Sequence, residues 1–183
     1  GLGKSTLARA CYEKLRKPNE KKMKFHFVEK INETCDKSSP VKLLVKELYS
    51  TLLNEEPVKR GVEIRGERLP RLKVFVVLDD VQSIPQLNEL LLEKALKLTE
   101  LFAPGSRIII TTRNKAVLEY ATAKMYEVDH LNDGESLELF KLNAFEDPGH
   151  IRHVELSRKV VTYCQGNPLA LKVLGATLLR KDE

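Results

Sequence analysis

No apolar run in this chain approaches the roughly 20 residues that cross a bilayer as a helix, so a membrane span is not expected. No signal peptide or lipidation motif is legible either. Cysteine is scarce: Cys11, Cys35 and Cys164 are far apart and odd in number. That excludes a disulfide framework, and no zinc-ligand spacing emerges, so the three read as reduced thiols of a cytosolic protein. Low-complexity tracts and internal repeats are absent. The four histidines (His26, His130, His150, His153) show no dependable ligand spacing. His150 and His153 read as solvated residues at a helix start rather than as a metal pair. No Ser-His-Asp or Cys-His order argues for nucleophilic catalysis. The charge imbalance is modest, +5 from 31 basic and 26 acidic residues. The bases are scattered among acids, and the one dense cluster, Lys21-Lys22-Met23-Lys24, has no interleaved aromatics. A nucleic-acid partner is therefore not expected, although weak attraction to polyanions is allowed.

What is present is an ordinary globular composition, 42% hydrophobic and 31% charged over 183 residues. That length suits one domain and part of another. The chain opens on Gly1-Leu2-Gly3-Lys4-Ser5-Thr6, the second half of a phosphate-binding loop, G-x-x-x-x-G-K-[ST]. Gly3 permits a backbone turn where a Cβ would meet a phosphate. The N–H groups that follow point into one concavity at the positive end of a helix. Lys4 is placed to reach β- and γ-phosphates, Ser5 to hold Mg²⁺, and Thr6 to add a hydroxyl near the α-phosphate. The complete pattern has a further Gly three residues ahead of Gly1. The chain is thus expected to be a piece of a longer protein, with the strand that launches the loop missing.

Downstream, apolar periodicity predicts a helix over 5–16, a strand over 24–31, a helix over 41–53 and a charged segment over 55–69 holding a further helix. The run Lys73 to Leu78 is apolar without alternation, which suits a strand buried on both faces of a parallel sheet. It ends in Asp79-Asp80. Two carboxylates there are costly unless compensated, and a bound Mg²⁺ compensates them directly. A helix is expected over 85–102. Ser106 to Arg113 is a second buried strand that ends in hydroxyls and an Arg. Ligands of open α/β sheets bind at the carboxyl ends of strands, so Arg113 is placed to sense a γ-phosphate. A short helix over 114–121 and a short strand over 125–128 complete the alternation. Only helices follow. Asn132 or Asp133 caps one, residues 154–164 form another, and Gly166-Asn167-Pro168 stops it and starts the last. That last helix, 169–179, is apolar nearly all round and is expected to be buried. The expected division is 1–128 and 129–183.

In this order the sequence resembles the NB-ARC nucleotide-binding domain of plant intracellular immune receptors with leucine-rich repeats. The match is carried by GLGKST (1–6), KVFVVLDDV (73–81), GSRIIITTRN (105–114), YEVDHLNDGESLELFKLNAF (126–145) and CQGNPLALKVLG (164–175). FHFVEKINETC and the 126–145 block are most similar to the subgroup with an N-terminal TIR domain. After LDDV that subgroup usually has Asp and the coiled-coil subgroup Trp; Gln82 is neither. Gly166-Asn167-Pro168 departs from the family's Gly-Leu-Pro but keeps the proline. The resemblance implies an α/β P-loop NTPase sheet flanked by helices, then a small all-α ARC segment. It implies a switch in which ADP holds a resting state and ATP an open, self-associating one, with slow hydrolysis. Gly1, Leu2, Gly3, Lys4, Ser5 and Thr6 would bind the phosphates, and Ser5 and Asp79 the Mg²⁺. Asp80 would act on the attacking water, Arg113 would read the γ-phosphate, and Pro168 would touch adenine. TIR and leucine-rich-repeat domains of the same protein are the implied partners, in the cytoplasm with the nucleus also open. The alternative is a P-loop ATPase that drives remodelling or transport.

Overall fold

Three apolar runs become strands: β1 (Lys24–Val28), β2 (Val74–Leu78) and β3 (Arg107–Ile110). The computed structural model describes residues 1–16, 23–35, 41–54, 71–91, 101–145 and 154–179. The strands form a parallel sheet in the order β1-β2-β3, with Phe25 beside Phe75 and Leu78 beside Ile110. Every residue of central β2 is buried. Successive side chains leave a strand on opposite faces, so both faces need cover. Phe75 and Val77 meet Ala8 and Tyr12 of helix α1 (Lys4–Leu15), with Phe25, Phe27 and Ile109 beside them. Val74, Val76 and Leu78 join the opposite cluster with Val45, Leu48 and Leu52 of α3 (Val41–Leu53). Leu87 and Leu90 of α4 (Ile84–Leu90) belong to it too. The buried Tyr49 hydroxyl donates to the Leu90 carbonyl at 3.0 Å, tying α3 to α4.

The expected strand over 24–31 is shorter than its periodicity suggests. Lys30 takes a left-handed φ of +48°, and Ile31 opens a short helix, α2 (Ile31–Cys35), that the sequence reading did not anticipate. Residues 114–121 behave as expected, as α5 (Lys115–Tyr120) capped by the Asn114 side chain. No strand forms over 125–128, where Met125 and Tyr126 are exposed. A β-branched or aromatic pair makes a strand only if a neighbouring edge accepts its hydrogen bonds. The helix expected over 85–102 is seen as α4, and most of its later half, 92–100, lies outside the described residues. So do the helix expected over 55–69, the Lys21-Lys22 pair, His150 and His153.

Backbone contacts divide the chain into 5–125 and a second unit made of 126–183 with 1–4. The second unit holds α6 (Asp133–Ala144), α7 (Val154–Cys164) and α8 (Pro168–Leu179). Asn132 caps α6 in a reciprocal box: its side chain accepts from Glu135 N at 2.9 Å, and Glu135 accepts from Asn132 N at 3.0 Å. Phe140, Ala144, Val161, Cys164 and Leu171 form the buried core of the three helices. The link from α7 to α8 needs glycine. Gly166 has φ +71°, and a Cβ there would lie 2.2 Å from the Leu131 carbonyl oxygen. α8 is not buried all round, contrary to its composition: Leu169 is 56% and Val173 55% exposed. α6 and α7 cover one side of it among the described residues.

Candidate functional site

Gly1 and Leu2 are irregular, Gly3 turns with φ +84°, and α1 starts at Lys4. Nothing lies within 4 Å of a Cβ built on Gly3, so the backbone angle rather than crowding calls for glycine. Lys4, Ser5 and Thr6 make the first turn, and no acidic residue shares it. Its N–H groups have no intrahelical partners and carry the positive end of the helix dipole. Ser5 and Thr6 are exposed, and Lys4 is half-buried.

The ring contacts of α1 give its direction. Tyr12 meets Phe25, Phe27 and Phe75, with centroids 6.0, 5.5 and 6.2 Å away. One turn nearer the helix start, the Arg9 guanidinium lies 4.4 Å over the Phe27 ring and pairs with Glu29 at 2.5 Å. Going back along α1 therefore goes forward along β1. Ser5, one further turn back, opens at the carboxyl end of the sheet. The hydrogen bond that Arg9 donates to Glu29 raises the Arg9 pKa against desolvation, with the charges of Glu29, Glu13 and Asp79 adding to the rise.

The twin acids sit at the same carboxyl end. Asp79 is 4% exposed. Its N–H donates to Val28 O and its carbonyl accepts from Ile31 N, both at 2.9 Å. Its carboxylate accepts from the Thr111 hydroxyl at 2.6 Å. Asp80 has φ +60°, a left-handed angle that non-glycine residues seldom adopt. Its N–H donates to Thr111 Oγ1 at 2.8 Å, and its carboxylate accepts from Gln82 Nε2. Gln82 is held in turn: its N–H donates to Gln86 Oε1 at 2.8 Å, and its carbonyl accepts from Asn114 Nδ2 at 3.1 Å. Thr111 and Gln82 are the organising residues that sequence reading missed. The available signal was a hydroxyl closing an otherwise apolar strand.

Asp79 makes no ion pair with a described residue, although it is buried. No group of three His, Cys, Asp or Glu gathers among the described residues. The donor set that remains, one buried carboxylate and a hydroxyl at a helix start, suits Mg²⁺. That ion is commonly held by one or two carboxylates, with phosphate oxygens and water completing its octahedron. Arg113 follows β3, is exposed, and makes no ion pair with a described residue. It is two residues from Thr111 and beside Asn114, which bonds Gln82, so it belongs to the same rim.

Pro168 lies in the other unit, at the first position of α8. Asn167 caps that helix, accepting from Leu169 N at 3.0 Å and Ala170 N at 3.3 Å. A Cβ on Gly1 would sit 3.3 Å from Leu169 Cβ, so the chain's first residue lies against the start of α8.

The family model for the NB-ARC domain matches residues 1–149. Disease resistance protein RUN1 of Vitis rotundifolia is 40% identical over 189 residues, covering 99% of this chain and 14% of that protein. Disease resistance protein RPV1 of the same plant is 38% identical, covering 99% of the chain and 13% of its own length. Disease resistance-like protein DSC1 of Arabidopsis thaliana is 36% identical, covering 100% of the chain and 15% of its own length. The chain thus spans only a small part of these curated relatives.

Proposed function

Since the chain belongs to the NB-ARC family, we propose that it binds ADP and ATP as the switch of a plant intracellular immune receptor, with slow ATP hydrolysis. One observation carries most weight: Asp79, buried and in no ion pair with a described residue, shares the sheet's carboxyl end with the start of α1. Names of relatives that cover the chain from end to end support the immune role.

In this reading residues 1–128 are the nucleotide-binding part and 129–183 the helical ARC segment. The backbone of Gly1, Leu2 and Gly3 and the first-turn N–H groups of α1 cradle phosphate. Lys4 contacts the β- and γ-phosphates, and Thr6 lies near the α-phosphate. Ser5 and Asp79 would hold Mg²⁺, whose contribution there is to neutralise phosphate charge. Asp80 orients or deprotonates the attacking water, and Arg113 senses the γ-phosphate. Pro168 touches adenine from the helical segment. A nucleotide shifts the balance between resting and active states only in proportion to its differential affinity for the two. TIR and leucine-rich-repeat domains of the same protein, and self-association on activation, complete the proposal, set in the cytoplasm.

The test is ADP binding by calorimetry on the full-length protein with Mg²⁺. Lys4→Ala is expected to abolish binding, because the phosphates lose their main cation. Unchanged affinity overturns the phosphate-loop assignment. Turnover well above the order of one event per minute, faster than an unassisted nucleotide switch, would point instead to an ATPase that drives remodelling or transport.

A further inference from the structure

A hydroxyl inside an apolar sheet needs a reason. Thr111 continues the line of Ile108, Ile109 and Ile110 and is 7% exposed. Valine has nearly the same shape, so packing alone does not call for threonine. A buried hydroxyl must also find partners. Here its one proton goes to Asp79 Oδ1 at 2.6 Å, and its oxygen accepts the Asp80 N–H at 2.8 Å. The backbone fixes where that hydroxyl stands. Thr111 N donates to Leu78 O at 3.0 Å, and Thr111 O accepts from Val81 N at 3.0 Å. The residue is thus bonded to the chain on both sides of the two acids.

We propose that Thr111 is a positioning residue: its hydroxyl aims the Asp79 carboxylate at the cation and locks Asp80 in its left-handed conformation. The hydroxyl occupies Oδ1, which leaves Oδ2 as the oxygen for the cation. It also gives the Asp80 N–H a partner at φ +60°, so that the second carboxylate leaves the chain in one direction. One side chain therefore sets the relation between a carboxylate that holds a cation and a carboxylate that acts on water. The inference rests on reading residues 1–6 with 79–80 as a nucleotide–Mg²⁺ site. It adds a residue from the neighbouring strand that does not itself touch the ion.

The experiment uses the full-length protein and measures ADP affinity with Mg²⁺ and with the metal chelated. In wild type Mg²⁺ tightens binding. In Thr111→Val the affinity without metal is unchanged, and the Mg²⁺-dependent gain falls by about tenfold to a hundredfold, the range for partners that orient metal ligands. Thr111→Ser, which restores the hydroxyl, recovers the gain. A gain that survives in Thr111→Val overturns the proposal. So does loss in both variants, because the methyl and its packing would then be what matters. A wild type that binds no ADP under either condition brings down the nucleotide reading itself, and this inference with it.

Discussion

β2 and α8 are both built almost wholly from apolar residues, yet they are covered differently. All five residues of β2 are buried. In α8, Leu171 is 0% exposed while Leu169 and Val173 stand more than half in solvent. β2 has a strand on each edge and helices on each face. α8 has α6 and α7 on one side only among the described residues. Apolar composition records what a segment tolerates. Cover depends on how many neighbours the fold supplies, and that number is not written in the segment.

The contrast breaks most visibly at β2. Phe75→Ala removes a ring stacked on Phe25 at 5.6 Å and tilted against Tyr12. It should cost about 3–5 kcal/mol, read as a fall in the denaturation midpoint of this unit. A loss below about 1 kcal/mol would mean that the aromatic cluster is loose. α8 offers an internal control. Leu171→Ala should cost about 2–5 kcal/mol, as for a core leucine, while Val173→Ala should stay within about 0.5 kcal/mol. Equal losses at the two positions would show that a partner covers the outer face of α8 in the full protein. The smallest signal is a pH slope. His26 of β1 has its pKa lowered by burial, against a weaker pull from Glu47. The unfolded chain then takes up a proton near pH 6.5 that the folded chain resists. Stability should be full above that pH and decline as pH falls below it. His26→Leu should flatten the decline; an unchanged slope would place its cause elsewhere.

Sequence reading succeeded where one local rule sufficed. The stripe Val41, Val45, Leu48 and Leu52 marks α3, and its observed bounds are Val41–Leu53. Asn132 with Glu135, and Gly166-Asn167-Pro168, punctuate the helical segment by local hydrogen bonds and backbone angles. The reading failed where distant residues decide. α2 starts at Ile31 because its N–H reaches Asp79 O, 48 residues later in the chain, and because Lys30 turns left-handed. Tyr126 and Val128 look strand-like but form no strand. At the candidate site the loop and the twin acids were legible as motifs. The hydroxyl that joins the acids was not, since 32 positions separate Thr111 from Asp79.

The ladder around Asp79 also limits how this chain can vary. Side chains alternate along β3, so a single residue inserted or deleted within Arg107–Thr111 would turn the Thr111 position to the wrong face. After an insertion Ile110, which has no hydroxyl, would stand where the two acids are bonded. Drift in length is tolerable in exposed connections, whereas an insertion in these few positions would break the hydrogen bonds that tie the two acids together.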